Sequence, residues 1–143
     1  MTATLTAGGA RHDTVGTFHH ECLLHRGDHG FLEATMPRLD AALGAGRPAL
    51  VAVSERRIAL LREALGSDSE HVRFADIREL GRNPARIIPA WRGFLEEHEG
   101  RTVLGIGEPV WAGRCAEELA ECELHESLLN TAFDGGPAWE LLC

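Results

Sequence analysis

Side chains that could do chemistry in this 143-residue chain are concentrated between Gly105 and Asn130. The pattern from Arg114 to Phe133 predicts a helix with one apolar stripe, and Glu126 lies inside that stripe. A carboxylate without a partner in such a position would take up a proton, so Glu126 predicts a basic neighbour. The stripe consists of Cys115, Leu119, Cys122, Leu129 and Phe133. The candidate partners are His19, His20, Arg92 and Arg114.

Two Cys-x-x-His pairs, Cys22 with His25 and Cys122 with His125, raise the question of a zinc site. The first pair lies on a predicted strand, where residues three apart point to opposite faces. On the predicted helix, Cys122 faces the apolar stripe and His125 lies beside it. We therefore predict no metal ligands and no cofactor, and interpret the cysteines as small buried side chains. A metal- or thiol-dependent site using His, Cys and Glu is the alternative from another functional class.

A redox pair within one helix is also disfavoured. Cys115 and Cys122 are seven residues apart, a helical rise of about 10 Å, which is beyond the reach of a disulfide. A redox pair would therefore need Cys22 or Cys143 from elsewhere in the fold.

The composition excludes several chemistries. The chain contains 14 arginines and neither lysine nor tyrosine, so it has no phosphate-binding Walker lysine and no Schiff-base lysine. Its formal charge of -8 disfavours nucleic acids and anionic membranes as partners. The glycines at Gly105 and Gly107 do not complete a dinucleotide-binding loop, because Val110 stands where the third glycine is needed.

The remaining composition bears on location. No apolar run approaches the roughly 20 residues that span a bilayer. Met1 to Arg11 lacks the charged and apolar regions of a secretory signal. We therefore expect a cytoplasmic protein.

Short apolar runs alternate with helical patterns, which predicts an α/β fold with an open, mainly parallel five-stranded sheet and helices on both faces. Each gap between runs has room for a crossover helix. We expect one domain over residues 15–143, preceded by a disordered tail over residues 1–14. The predicted strands are Thr17–Leu24, Ala49–Val53, His71–Ala75, Thr102–Ile106 and Trp139–Leu142.

Local signals predict where helices begin and end. Pro37 predicts a kink or a restart of the first helix near Met36. The predicted capping residues are Asp28, Ser54 and Asn83 at helix starts and Gly66 at a helix end.

Five segments of the chain resemble the MEDS family, the methanogen/methylotroph sensory domain, and the resemblance spans nearly the whole sequence. It is strongest to the actinobacterial version that precedes a GHKL-type kinase domain in anti-sigma regulators. The family typically has a tyrosine where His25 stands, and Cys22 and Cys115 do not belong to its pattern. The resembling segments are Phe18–His20, Arg82–Trp91, Gly107–Trp111 with Gly113 and Arg114, His125–Glu126 with Leu129 and Asn130, and Leu141–Cys143.

The resemblance implies a RecA/KaiC-like sheet without a P-loop, in agreement with the missing lysine. It implies a non-catalytic sensory domain that binds a small organic signal and controls an anti-sigma kinase or sigma-factor pathway. The implied partners are a GHKL kinase domain or a sigma/anti-sigma protein, and a homodimer is a further expectation. A structural or dimerising module without a ligand is the alternative within the binding class.

Two clusters of ligand-binding or signalling residues are predicted. Ligands of open α/β sheets bind beyond the carboxyl ends of the strands, which favours an upper rim of Glu108, Trp111 and Arg114. Glu126 lies about 12 residues into the returning helix, some 18 Å down, and is expected near the strand starts. The predicted inner network therefore consists of His19, His20, Glu126 and Asn130, with His125 beside it.

Overall fold

A computed structural model describes residues 17–143. The predicted disordered tail, residues 1–14, lies outside the described residues. The strands are β1 (Phe18–Glu21), β2 (Ala49–Val53), β3 (Val72–Asp76), β4 (Val103–Gly107) and β5 (Trp139–Leu142). The helices are α1 (Gly27–Gly44), α2 (Glu55–Leu65), α3 (Ile77–Leu80), α4 (Ile87–Glu97) and α5 (Ala116–Ala132).

The five strands form one sheet in the order β1-β5-β4-β2-β3, and every paired strand in residues 17–143 is parallel to its neighbour. This confirms the predicted open α/β fold. β2 and β5 have the predicted bounds. β1 is shorter than predicted because it pairs only with β5, and its last partners are Glu21 and Leu142.

Helices cover both faces of the sheet, as predicted. Alternating side chains of each strand point to opposite faces, so Val51 joins the apolar cluster under α1 and α2. Its neighbour Leu50 joins the cluster under α4 and α5. A fully buried apolar side chain stabilises the fold by about 1.5–3 kcal/mol, so these two clusters fix the layers.

The order in which strands are added to the sheet reverses between β2 and β4, at its centre. α2 leads from β2 to the edge strand β3, whereas α5 leads from the neighbouring β4 to β5 on the other side. The loops that follow β2 and β4 therefore diverge and leave a crevice at the carboxyl edge. Open α/β sheets bind ligands at such a position.

Three of the four predicted caps occupy the expected positions, although the Ser54 side chain makes no capping hydrogen bond. Ser54 precedes α2, and Gly66 follows it with a φ of 58° that favours glycine. The side chain of Asn83 accepts a hydrogen bond from the Ala85 amide at 3.1 Å. Asp28 is not a cap, because α1 begins one residue before it.

α1 continues through Pro37, so the expected restart near Met36 is wrong. The proline removes one amide donor from the helix. Phe31 and Leu39, one on each side of it, are 2% and 0% exposed and pack on the sheet. We infer that this packing outweighs the lost hydrogen bond.

The apolar stripe of α5 is narrower than predicted. Cys122 and Leu129 are buried, whereas Cys115 is exposed and Leu119 is 37% exposed. The first six residues of α5 are all exposed, so the buried stripe begins only at Cys122.

Among the described helices, none combines the length and apolar character that a membrane crossing requires.

Candidate functional site

The candidate site is a cavity of about 450 Å³ at the carboxyl edge of the sheet. It lies beside the crevice between the loops that follow β2 and β4, and every layer of the fold contributes to its wall. The lining residues are His20, Cys22, Leu23, His25, Phe31, Arg57, Ile106, Gly107, Glu108, Pro109, Val110, Glu126 and Cys143.

Arg57 and Glu108 form an ion pair in the wall of this cavity. The Arg57 guanidinium also lies over the Phe31 ring, 4.5 Å from its centroid. Arg57 was not predicted as a site residue, although its place in the first turn after β2 is a signal that could have indicated it. The pair joins the two diverging loops and places one positive and one negative group at the cavity.

His25 completes this side of the wall. Its Nε2 atom lies 3.4 Å from Arg57 Nη1. Because a guanidinium can only donate, Nε2 accepts and the proton of a neutral His25 is on Nδ1. That Nδ1 atom is buried without a hydrogen-bond partner among residues 17–143. His25 therefore retains one donor that a ligand could satisfy.

His20, Glu126 and Asn130 form a polar network on the α5 side of the sheet. His20 Nε2 lies 3.0 Å from Glu126 Oε2, and His20 Nδ1 lies 3.3 Å from Asn130 Oδ1. The hydrogen bond to Glu126 raises the pKa of His20 against the opposing effect of burial. The predicted partner of Glu126 is thus confirmed as His20, one of the four candidates.

Cys143 adds a thiol to the same network. One ligand atom each from His20, Glu126 and Cys143 lies within 4.8 Å of the other two. Burial raises the pKa of the Cys143 thiol, and the charge of Glu126 raises it further. The prediction of no metal ligands considered the Cys-x-x-His pairs alone and did not include this cluster.

Glu108 and Glu126, which the sequence analysis assigns to two clusters, line one cavity. The reason is the position at which α5 begins, beyond the carboxyl ends of the strands. Cys122, in the second turn of α5, still lies beside the loop after β4, with its Sγ 3.2 Å from the carbonyl oxygen of Pro109. One turn further along the helix, Glu126 therefore reaches the carboxyl edge of the sheet and not the strand starts.

Arg114 and Trp111 lie outside this cavity. The Arg114 guanidinium is buried over the Trp111 ring, 3.5 Å from its centroid, and donates hydrogen bonds to the carbonyls of Pro109 and Gly81. Trp111 lines an adjoining crevice that shares Arg57 and Glu108 with the cavity. The predicted ligand-binding role of these two residues stays a prediction, while their contacts support the loop after β4.

His19 does not join the predicted inner network. It is exposed on the opposite face of the sheet from His20, in a groove with Glu21 and Arg38. Adjacent residues of a strand point to opposite faces, so the two histidines cannot share one site.

Neither Cys-x-x-His pair belongs to a group of three candidate metal ligands among residues 17–143. Cys22 and His25 lie in the loop after β1 and both line the cavity, because β1 ends before them. The expected strand geometry is therefore wrong for this pair. Cys122 and His125 are buried against the sheet, and burial raises the pKa of the Cys122 thiol.

His125 gives a prediction about pH. It is 5% exposed, and burial lowers its pKa. The stability contributed by neutral His125 is present above the unfolded pKa near 6.5 and is lost as the pH falls through the lower folded pKa. We expect His125→Phe to lose less free energy of unfolding than the wild type between about pH 7.5 and about pH 5, measured by urea titration. The raised pKa of His20 acts in the opposite direction in both proteins and largely cancels. An equal pH dependence would contradict the prediction.

Comparison with known proteins gives one family. A family model described as MEDS, the methanogen/methylotroph DcmR sensory domain, matches residues 19–143. Neither a curated protein nor a solved structure matches the chain. The match covers all the residues that line the cavity.

Proposed function

Because the chain belongs to the MEDS family of sensory domains, we propose that it is a non-catalytic sensory module that binds a small organic molecule in the cavity at the carboxyl edge. The family supports the sensory role. The ligand and the signalling partner are the parts that this proposal adds.

The cavity is the observation that carries the proposal. Its volume of about 450 Å³ lies within the roughly 300–1,000 Å³ of typical ligand sites. Its wall is mostly apolar, with the Arg57–Glu108 and His20–Glu126 pairs as its polar groups. This combination fits a small, largely apolar molecule that carries one polar group, such as a hydrocarbon derivative.

A larger concavity of about 1,000 Å³ lies at the opposite edge of the sheet. It is lined at the strand starts by Ala49 and Val72, among others, and its wall is equally polar and apolar. Ligands of open α/β sheets bind at the other edge. We therefore favour the smaller cavity.

Two alternatives are less well supported. A module without a ligand would need no cavity at this edge, and a tightly filled interior would have favoured it. A thiol enzyme needs a cysteine of lowered pKa, whereas burial raises the pKa of both Cys122 and Cys143.

We propose that the bound state is transmitted to a GHKL kinase domain or to a sigma/anti-sigma partner. The resemblance of the sequence to the sensory part of anti-sigma regulators supports this step. A homodimer is the alternative assembly, and light scattering of the purified chain would distinguish it from a monomer.

The ligand proposal is tested by native mass spectrometry of protein purified from its own host. Val110 lines the cavity and is 50% exposed, so Val110→Trp would obstruct the mouth with little effect on the core. Leu24→Trp is the matched control, because Leu24 is 88% exposed and does not line the cavity. We expect a co-purified small molecule in the wild type and in the control, and a lower occupancy in Val110→Trp because its affinity is reduced at least about tenfold, equivalent to about 1.4 kcal/mol.

Two results would contradict the proposal. One is the absence of a co-purified molecule from all three proteins. The other is equal occupancy in Val110→Trp and the wild type. Urea titration of the same samples would verify that the variants are equally folded.

A further inference from the structure

Three potential metal ligands meet at the wall of the cavity from three different elements. His20 comes from β1, Glu126 from α5 and Cys143 from the residue after β5. One ligand atom of each lies within 4.8 Å of the other two. His20 and Cys143 are more than a hundred positions apart in the sequence. The pairing of β1 with β5 brings them together.

His20 is oriented as a metal-ligating histidine is. Its Nδ1 atom lies 3.3 Å from the Asn130 amide oxygen, which can only accept, so Nδ1 carries the proton. The other nitrogen, Nε2, then points to Glu126 at 3.0 Å. Histidine ligands usually donate their second ring N–H to an oxygen acceptor, which fixes the tautomer and the ring.

One carboxylate oxygen of Glu126 has no hydrogen-bond partner in the described part of the chain. Oε2 faces His20, whereas Oε1 is buried without a hydrogen-bond partner among residues 17–143. A buried polar atom left without a partner is costly, and a carboxylate oxygen more so. A cation at this position would satisfy it.

The third residue is held by its backbone. The Cys143 amide donates to the Glu21 carbonyl at 2.9 Å, and the Cys143 carbonyl accepts from the Leu23 amide at 2.6 Å. These bonds extend the β1–β5 pairing by one residue and fix the position from which the thiol projects. Cys143 lines the cavity together with the other two ligands.

We propose that His20 Nε2, a Glu126 carboxylate oxygen and Cys143 Sγ bind one divalent transition-metal ion, with zinc favoured. One nitrogen, one oxygen and one sulfur ligand suit a borderline-soft ion. Magnesium and calcium require oxygen ligands and do not fit. The thiol proton and the His20 Nε2 proton that is hydrogen-bonded to Glu126 both leave to solvent as the metal–sulfur and metal–nitrogen bonds form.

Three protein ligands leave the fourth position of a tetrahedral ion open. All three ligands line the cavity, so a molecule bound there would lie beside the ion. An organic signal with an oxygen or nitrogen donor would bind there. That last step rests on the proposed function, whereas the metal site itself does not.

The test uses the full chain, freed of metal with a chelator and titrated with Co²⁺ and then Zn²⁺ without any organic ligand. We expect one Co²⁺ per chain with a thiolate-to-cobalt charge-transfer band, and displacement of Co²⁺ by Zn²⁺. Cys143→Ser should lose the band, and Glu126→Gln and Asn130→Ala should bind Zn²⁺ at least about tenfold more weakly.

The matched control is Cys115→Ser, which removes an exposed thiol that does not line the cavity. It should keep the band and the zinc affinity of the wild type. Absence of the band from the wild type, or its persistence in Cys143→Ser, would overturn the proposal.

A measurement on the wild-type protein tests the metal site without relying on variants that must fold. X-ray absorption of the zinc complex should give one sulfur at about 2.3 Å and nitrogen or oxygen ligands at about 2.0–2.2 Å. A first shell without sulfur would also overturn the proposal. Binding of Zn²⁺ without a co-purified organic molecule would leave the metal site standing and contradict the proposed ligand function.

Discussion

Arg114→Ala is expected to lower the free energy of unfolding by about 2–6 kcal/mol, because two buried carbonyls would each lose a charged donor worth about 1–3 kcal/mol. The Arg114 side chain is 1% exposed. Its Nε donates to the Pro109 carbonyl at 2.7 Å and its Nη2 to the Gly81 carbonyl at 3.1 Å. Both hydrogen bonds are buried, so their loss lowers the stability of the folded state.

Urea titration of three proteins would measure this effect. Arg114→Lys should lie between the wild type and Arg114→Ala, because a single ammonium cannot reproduce the planar fork of donors. Arg82→Ala is the control, since Arg82 is exposed, and it should stay within about 0.5 kcal/mol of the wild type. Unchanged stability of Arg114→Ala together with loss of a co-purified molecule would instead make Arg114 a ligand-binding residue.

Gly105→Ala is expected to destabilise the protein by about 1–3 kcal/mol through overpacking. Gly105 is buried in β4 at the centre of the sheet. An added Cβ would lie 2.9 Å from Leu141 Cδ1 and 3.0 Å from Cζ3 of both Trp139 and Trp91. The two indoles are 1% and 2% exposed, so neither can move away without disturbing the core.

Gly107→Ala is the matched control for this prediction. Gly107 lies two residues along the same strand, and its added Cβ would meet Trp91 Cζ2 at 3.2 Å. The entropy that alanine removes from the unfolded chain is the same at both positions. We therefore expect a smaller loss for Gly107→Ala in urea titrations, and an equal loss would contradict the steric explanation.

A double variant tests the same contact from the other side. Leu141→Val shortens the side chain nearest to the added Cβ. Residues in contact give non-additive effects, so Gly105→Ala combined with Leu141→Val should lose less stability than the sum of the two single variants. Strict additivity would place the strain elsewhere.

Much of the fold could be predicted because its signals are local. The bounds of β2 and β5 follow from short runs of apolar residues. Gly66 ends α2 with a positive φ, which is a property of the residue itself. Pro37 was misleading, because the packing of α1 on the sheet decides whether the helix continues.

The candidate site could be predicted only in part. Glu126 and His20 were among the expected residues, since a carboxylate on an apolar stripe demands a partner. Arg57 was missed because its role depends on Glu108, 51 positions away. Cys143 was considered only as a distant redox partner, because its place beside His20 follows from the pairing of β1 with β5.

The sequence by itself determined the α/β class, the sensory family and the absence of lysine chemistry, because these depend on residue types, periodicity and ordered motifs. Only the tertiary structure decided that Glu108 and Glu126 share one cavity and that Arg114 is buried against backbone carbonyls. The physical reason is the position of α5 along the strand direction, which places Glu126 at the carboxyl edge of the sheet. That position is set by the fold of the loop between Glu108 and Cys115, whose contacts with Gly81 and Cys122 no periodic pattern encodes.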